Sequence, residues 1–233
     1  MRAHIWRNMA LLAIAAVVAG CGNDRAREGG SITGALAQAV GPTMARVRGA
    51  EPSAPAPALS ADEMAARALA SNPSPLILVG LESSGAVQVM AMTGENGAMR
   101  TYMTPNMQAL ILRGGMLSGT KGLGHDLSVA EADAPAALIR ARRPGQANRT
   151  MRYITGDGVE RPLPMTCSIA VGEGKSFSFA GTAWSATQVV ESCQGGGAEI
   201  QNSYLVTASG QIPVSRQWIG PQLGYVTIQT IRP

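Results

Sequence analysis

Histidine is almost missing from this 233-residue chain, occurring only as His4 and His125. That excludes a His-rich metal site and leaves a hydrolytic triad one histidine to draw on in the body of the protein. Lysine is as rare: Lys121 and Lys175 are the whole complement, so nearly all positive charge is arginine. Aromatic residues number nine, and seven lie at or after Tyr153, which places the better packed part of the core in the second half. No apolar run reaches the ~20 residues of a spanning helix. Charged residues are only 15% of the chain and hydrophobic ones 45%, a balance that supports a packed core and excludes wholesale disorder. The length suits one ordinary domain with extensions.

What is plentiful is glycine (28) and proline (14). Such a chain turns often and does not read as a helical bundle.

The first twenty residues read as an export signal. Arg2, His4 and Arg7 precede the apolar stretch Met9 to Ala19, which closes on Val18-Ala19-Gly20-Cys21. A cysteine directly after Ala-Gly resembles the lipobox of bacterial lipoproteins, in which the thiol takes diacylglycerol before cleavage on its N-terminal side. An ordinary secreted protein with a chance cysteine is the plainer alternative. One acyl chain holds a protein to a membrane only marginally, whereas two or three on one residue make the anchor effectively permanent. Gly22, with no aspartate directly after Cys21, is what sorting to the outer membrane would permit by that resemblance.

Cleavage removes Arg2 and Arg7 and lowers the formal net charge from +4 to +2. A nucleic-acid binder is not indicated. Arg140, Arg142, Arg143, Arg149 and Arg152 do cluster in sequence, as a patch for an anionic polymer or lipid headgroup or as a solvated loop. Three cysteines are an odd count for an exported chain. With Cys21 lipidated, Cys167 and Cys193 remain for one disulfide; free or metal-binding thiols are the alternative, without neighbouring Cys or His ligands.

The organisation follows from composition: a signal peptide over 1–20, an Ala/Pro/Gly-rich tether over 21–58, and a β-rich domain over 59–233. Ile32 to Val40 has weak helical spacing. Ser60-Ala61-Asp62-Glu63 is a capping-box pattern opening a helix that Asn72-Pro73 ends. Strands are expected at 76–81, 86–92, 98–103, 107–112, 116–121, 149–155, 159–171, 176–180, 187–193, 199–206, 212–219 and 225–231. The interval 126–139 reads as a loop with a short helix. Turns every eight to twelve residues predict a mainly β fold, an antiparallel meander curving into a half-barrel or sandwich, with one or two short helices.

Catalytic signals are sparse. His125 and Asp126 are sequence neighbours and point apart, so they are not a base and its orienter; no G-x-S-x-G elbow occurs. Glu82, Asp126, Asp157, Glu160 and Glu199 are candidates for a glycosidase pair, but no spacing selects two of them. Gly195-Gly196-Gly197 precedes a strand and reads as a hairpin turn, not a phosphate cradle. No cofactor and no metal set is indicated.

Two segments look built. In Thr120-Lys121-Gly122-Leu123-Gly124-His125-Asp126-Leu127, glycines permit an abrupt exit from a strand, and Asp126 is placed to cap a following helix. In Ser215-Arg216-Gln217-Trp218-Ile219-Gly220-Pro221, followed by Gly224-Tyr225, Arg216 and Trp218 share one strand face before a forced turn. Arg216, Trp218, Lys121 and His125 are therefore candidate contacts for a glycan or a partner; an arginine packed over a core aromatic is the structural alternative.

These segments, with Leu76–Ala86, Cys167, Cys193 and Asn202-Ser203-Tyr204, resemble in order and spacing the YjbF/GfcB-type lipoproteins of group 4 capsule and exopolysaccharide production. The resemblance runs from Leu59 to Pro233; Ser84 stands where an arginine is expected, and the tether is unusually long. It implies a lipid-anchored outer-membrane protein facing the periplasm, non-enzymatic, supporting polysaccharide export through the export proteins or the polysaccharide itself. It carries over no catalytic residues. A lipid- or lipoprotein-binding envelope module, with an apolar pocket on the concave side of the sheet, and a periplasmic glycan hydrolase stand as alternatives.

Overall fold

The computed structural model describes residues 59–154 and 158–233. Cys21, Asp157 and the 32–40 segment lie outside them. In chain order the elements are α1 (Ala61–Ser71), β1 (Leu76–Leu81), β2 (Ala86–Asn96), β3 (Met99–Met103), β4 (Ala109–Arg113), β5 (Met116–Lys121), β6 (Leu127–Glu131), α2 (Asp133–Arg140), β7 (Gly145–Ile154), β8 (Glu160–Phe179), β9 (Thr182–Gly195), β10 (Ala198–Thr207), β11 (Val214–Gly220) and β12 (Gly224–Arg232).

The twelve strands form one antiparallel sheet in the order β5-β4-β3-β2-β1-β12-β11-β10-β9-β8-β7-β6. Every neighbour in that order is a neighbour in sequence except β1 and β12, whose pairing joins the two ends of the domain. The outer strands β5 and β6 then meet without a ladder. The Leu127 amide donates to Thr120 Oγ1 at 2.9 Å. A Cβ on Gly119 would lie 3.2 Å from the Ser128 carbonyl, so a side chain there would push the seam apart. The half-barrel expected from the sequence is thus a nearly closed barrel.

Alternation along the strands decides what fills it. Ile77, Val79, Met90, Leu110, Leu117, Leu127, Met151, Val189, Tyr204, Ile219 and Val226 belong to one buried cluster drawn from both halves of the chain. The core is therefore not concentrated after Tyr153, because aliphatic and methionine side chains supply the first half. The interior of the barrel is packed with these side chains.

A second, smaller cluster lies outside the sheet. Strand β1 is buried on both faces, with Leu76 and Leu78 packing against Ala65 of α1, Phe179 and Ile231. Helix α1 starts with the expected box: Ser60 Oγ accepts from the Glu63 amide at 3.2 Å, and Glu63 Oε2 accepts from the Ser60 amide at 2.7 Å. Its far end is held by Arg232 of β12, which donates to the carbonyls of Leu69, Asn72 and Ser74.

Two segments depart from the sequence reading. Residues 127–131 form a strand rather than a loop, because pairing with β7 from Leu127↔Tyr153 to Glu131↔Thr150 overrides an alanine-rich local preference. The expected strands at 159–171 and 176–180 are one twenty-residue strand. The glycines at 172 and 174 make a register shift between Val171 and Gly174, and pairing with β9 resumes beyond it.

An up-and-down order sends alternate turns to opposite ends of the barrel. One end, here the mouth, gathers the β2–β3, β4–β5, β8–β9 and β10–β11 turns with α2. The other gathers the β1–β2, β3–β4, β5–β6, β9–β10 and β11–β12 turns.

Candidate functional site

The interior holds a buried polar layer that the sequence reading did not single out. Glu191 Oε2 accepts from Arg149 Nη1 at 2.8 Å, Asn202 Nδ2 at 2.8 Å and the Tyr204 hydroxyl at 2.9 Å. Asn202 Oδ1 in turn accepts from the Trp218 amide at 2.8 Å. The Arg149 and Glu191 side chains are 2% and 0% exposed, so this ion pair is fully desolvated. Burial pushes the Arg149 guanidinium down, but the Glu191 carboxylate together with Tyr204 and Tyr153 outweighs it, holding its pKa above the ordinary value. Burial, and then the Glu191 charge, push the Tyr204 phenol well up, so it stays a donor.

Cys167 of β8 and Cys193 of β9 are direct cross-strand partners and form a disulfide beside this layer. Ligand atoms of Cys167, Cys193 and Glu191 lie within 4.8 Å of one another. The sequence reading found no third ligand near the cysteines; Glu191 is one, two residues before Cys193. With the sulfurs bonded to each other, the thiolates a metal would need are consumed.

The residues singled out from sequence gather at the end opposite the mouth, but do not form one surface. Asp126 opens no helix. Its carboxylate closes the β5–β6 loop, accepting from Thr120 Oγ1 (2.9 Å), the Gly122 amide (2.8 Å) and the Leu123 amide (3.0 Å). Helix α2 begins only at Asp133, after β6 has intervened. Lys121 and His125 are exposed on this loop.

Arg216 and Trp218 part company. Arg216 donates from Nε and Nη2 to both oxygens of Glu82, at 2.6 and 2.7 Å, and its guanidinium carbon sits 3.5 Å from the centre of the Tyr225 ring. Trp218 is buried at 7% exposure and meets Tyr153 edge to face, with centroids 6.4 Å apart. The Tyr153 hydroxyl donates to the Ile219 carbonyl at 2.6 Å, and desolvation pushes its pKa up. Arg216 is therefore packed over an aromatic ring and ion-paired, while Trp218 helps close the end of the barrel.

The hydrogen bonds from Arg216 hold the Glu82 carboxyl below its ordinary range. A lowered folded-state pKa means that Glu82 contributes stability above about pH 4.3, its unfolded value, and loses it as pH falls through the lower folded value. Glu82→Gln is expected to flatten that part of the acid limb, measured as urea midpoints at pH 7 and pH 3. Identical pH dependence in both proteins would count against the pairing.

The glycosidase candidates among the described residues are each committed locally. Glu82 faces Arg216, Asp126 its own loop, Glu160 Arg152 at 3.4 Å, and Glu199 the Gln194 amide at 3.3 Å. The arginine run is likewise dispersed. Arg149 is buried, Arg152 pairs with Glu131 at 2.9 Å, and Arg142 donates to the Thr207 carbonyl. Arg140 and Arg143 are the exposed remainder.

The concave sites lie at the mouth. One chamber of about 560 Å³ is bounded by α2, β5 and β6, with Arg113, Asp133, Ser118 and Ser209 on its walls. Another, of about 350 Å³, lies between Trp184, Ile77, Tyr102, Ile228 and the Glu95–Arg100 pair. Both are lined by Ala98, Arg140 and Gly210. Clefts of ~300–1,000 Å³ are the usual size of small-ligand sites. Arg140 stands where the chambers share a wall, its Nε donating to the Gly210 carbonyl at 3.2 Å. Sequence reading could not find this site, since its parts come from six separate turns and ends.

The profile of the family described as group 4 capsule polysaccharide lipoprotein gfcB, YjbF matches residues 55–231. The chain belongs to this family. No curated protein matches it in sequence. Among solved structures it is similar to the crystal structure of the hypothetical lipoprotein YmcC from Escherichia coli (K12), at 18% identity and a TM-score of 0.63, over 72% of this chain and 89% of that one. At that identity the likeness concerns the fold alone. Membership of the YjbF family places the protein in the cell envelope and associates it with capsule polysaccharide. No helix among the described residues is long and apolar enough to cross a membrane.

Proposed function

We propose that this YjbF-family protein is a non-enzymatic accessory factor in the export or assembly of capsule or exopolysaccharide, anchored through lipidated Cys21 in the outer membrane and facing the periplasm. The observation that carries this reading is the family match over residues 55–231, preceded by a lipobox-like Val18-Ala19-Gly20-Cys21. The tether over 21–58 would hold the barrel away from the bilayer, where the export proteins or the polymer can reach it. The local commitment of Glu82, Asp126, Glu160 and Glu199 supports a role without glycan cleavage.

Cys21→Ala is expected to move most of the protein from the membrane to the soluble fraction and to abolish labelling by a radioactive fatty acid. Deleting the gene is expected to reduce surface polysaccharide several-fold under capsule-producing conditions, while the purified protein releases no new reducing ends from that polymer. Membrane retention of the alanine variant would overturn the anchor; undiminished polysaccharide would overturn the role.

A further inference from the structure

The arginines of the barrel divide by partner. Arg100, Arg113, Arg149, Arg152 and Arg216 each have a carboxylate within ion-pair distance. Arg140 has none among the described residues, although it lies in a cleft whose two acids, Glu95 and Asp133, are already taken by Arg100 and Arg113. Its position is built. A Cβ on Gly114, which has a φ of +58°, would fall 2.8 Å from Arg140 Nη1, and one on Gly210, at +81°, would fall 3.2 Å from the Arg140 carbonyl. Small residues at both turns let the guanidinium lie across them, held through Nε, with its remaining N–H groups free to serve a ligand.

Across the second chamber stands Trp184, half-buried near the tip of the β8–β9 hairpin, its indole Nε1 buried without any hydrogen-bond partner. The buried indole N–H is turned away from the cleft's solvent, so what Trp184 offers a ligand is its ring. An aromatic ring and an unpaired guanidinium around one cleft match a pyranose that carries a carboxylate. The sugar stacks, and the carboxylate takes a charge-assisted fork from arginine.

We infer that the mouth of the barrel binds a segment of acidic, uronate-bearing polysaccharide, with Arg140 on a carboxylate and Trp184 against a sugar face. This rests on the polysaccharide reading above and names the polymer's chemistry and the place where it sits. Arg140 and Trp184 then set specificity for acidic over neutral glycans.

The test uses the full-length protein in detergent, titrated with oligogalacturonate and with a neutral maltooligosaccharide of equal length, followed by calorimetry and tryptophan fluorescence. Oligogalacturonate is expected to bind at least 10-fold tighter than the neutral oligomer. Arg140→Gln should remove most of that preference, and Trp184→Ala should weaken binding about 10-fold. Arg143→Gln, exposed and outside the cleft, should change nothing. Thermal midpoints for each variant exclude misfolding. Equal binding of the two oligomers, no binding by either, or full preference in Arg140→Gln would overturn the inference. If the gene deletion impairs capsule while binding fails, the cleft assignment alone falls. If binding succeeds while the deletion strain keeps normal capsule, the export role falls and the cleft stands.

Discussion

Glu191→Ala is expected to destabilise the barrel by ~3–5 kcal/mol, the range for leaving one member of a buried ion pair without its partner. The carboxylate serves three donors through one oxygen, and all three, Arg149, Asn202 and Tyr204, are buried with it. Removing it strands a guanidinium that water cannot reach and leaves the amide and the phenol without their acceptor. For a domain of this size the melting temperature should fall by roughly 10 °C. Glu191→Gln keeps an acceptor but not the charge, so most of the loss should persist. Combining Arg149→Met with Glu191→Leu should cost less than the sum of the single changes, because the double variant leaves no buried charge unmatched. Thermal and urea unfolding of the wild type, these single variants and the double variant checks this; a loss under about 1 kcal/mol for Glu191→Ala would refute the role of the pair.

Opening the Cys167–Cys193 bridge is the other large effect. The bond joins residues 26 apart at neighbouring positions of β8 and β9. In the chain-entropy view such a loop contributes roughly 3 kcal/mol by restricting the unfolded chain. Cys167→Ala with Cys193→Ala, or reduction in mild denaturant, is expected to lower the unfolding midpoint accordingly. An unchanged midpoint after confirmed reduction would show that the bridge adds nothing to stability. Because the sulfurs sit beside Glu191, the two losses should not be independent: the disulfide and Glu191 changes together should depart from additivity.

Much of the architecture could be read without coordinates. Strand β1 falls where a continuous apolar run predicts it, β5 spans the expected 116–121, and the Ser60–Glu63 box starts α1 where its spacing indicates. The Gly195–Gly197 run is a hairpin turn, with φ of +57° and +78° at Gly196 and Gly197. A Cβ on Gly195 would also collide with the Pro164 carbonyl of β8, which sequence alone does not reveal. Strand β6 escaped because five residues with an alanine-rich sequel carry too little local preference. The pairing partner supplies the rest.

The site was far less legible than the fold. Arg216 and Trp218 stand two apart on a strand, which suggests a shared face, yet one is tied to Glu82 from β1's end and the other is sealed against Tyr153 of β7. Partners at separations of 134 and 65 residues leave no trace in a local pattern.

Local order, then, was settled by the chain itself: where it turns, which stretches extend, and where α1 begins. These depend on backbone geometry and on side-chain alternation within a few residues. The near-closure of the barrel, the burial of Arg149 against Glu191, and the placing of Arg140 and Trp184 on one chamber at the mouth depend on β1 pairing with β12 and on turns brought from across the sheet. Only the three-dimensional arrangement could decide them, because desolvation and charge pairing act through space and not along the sequence.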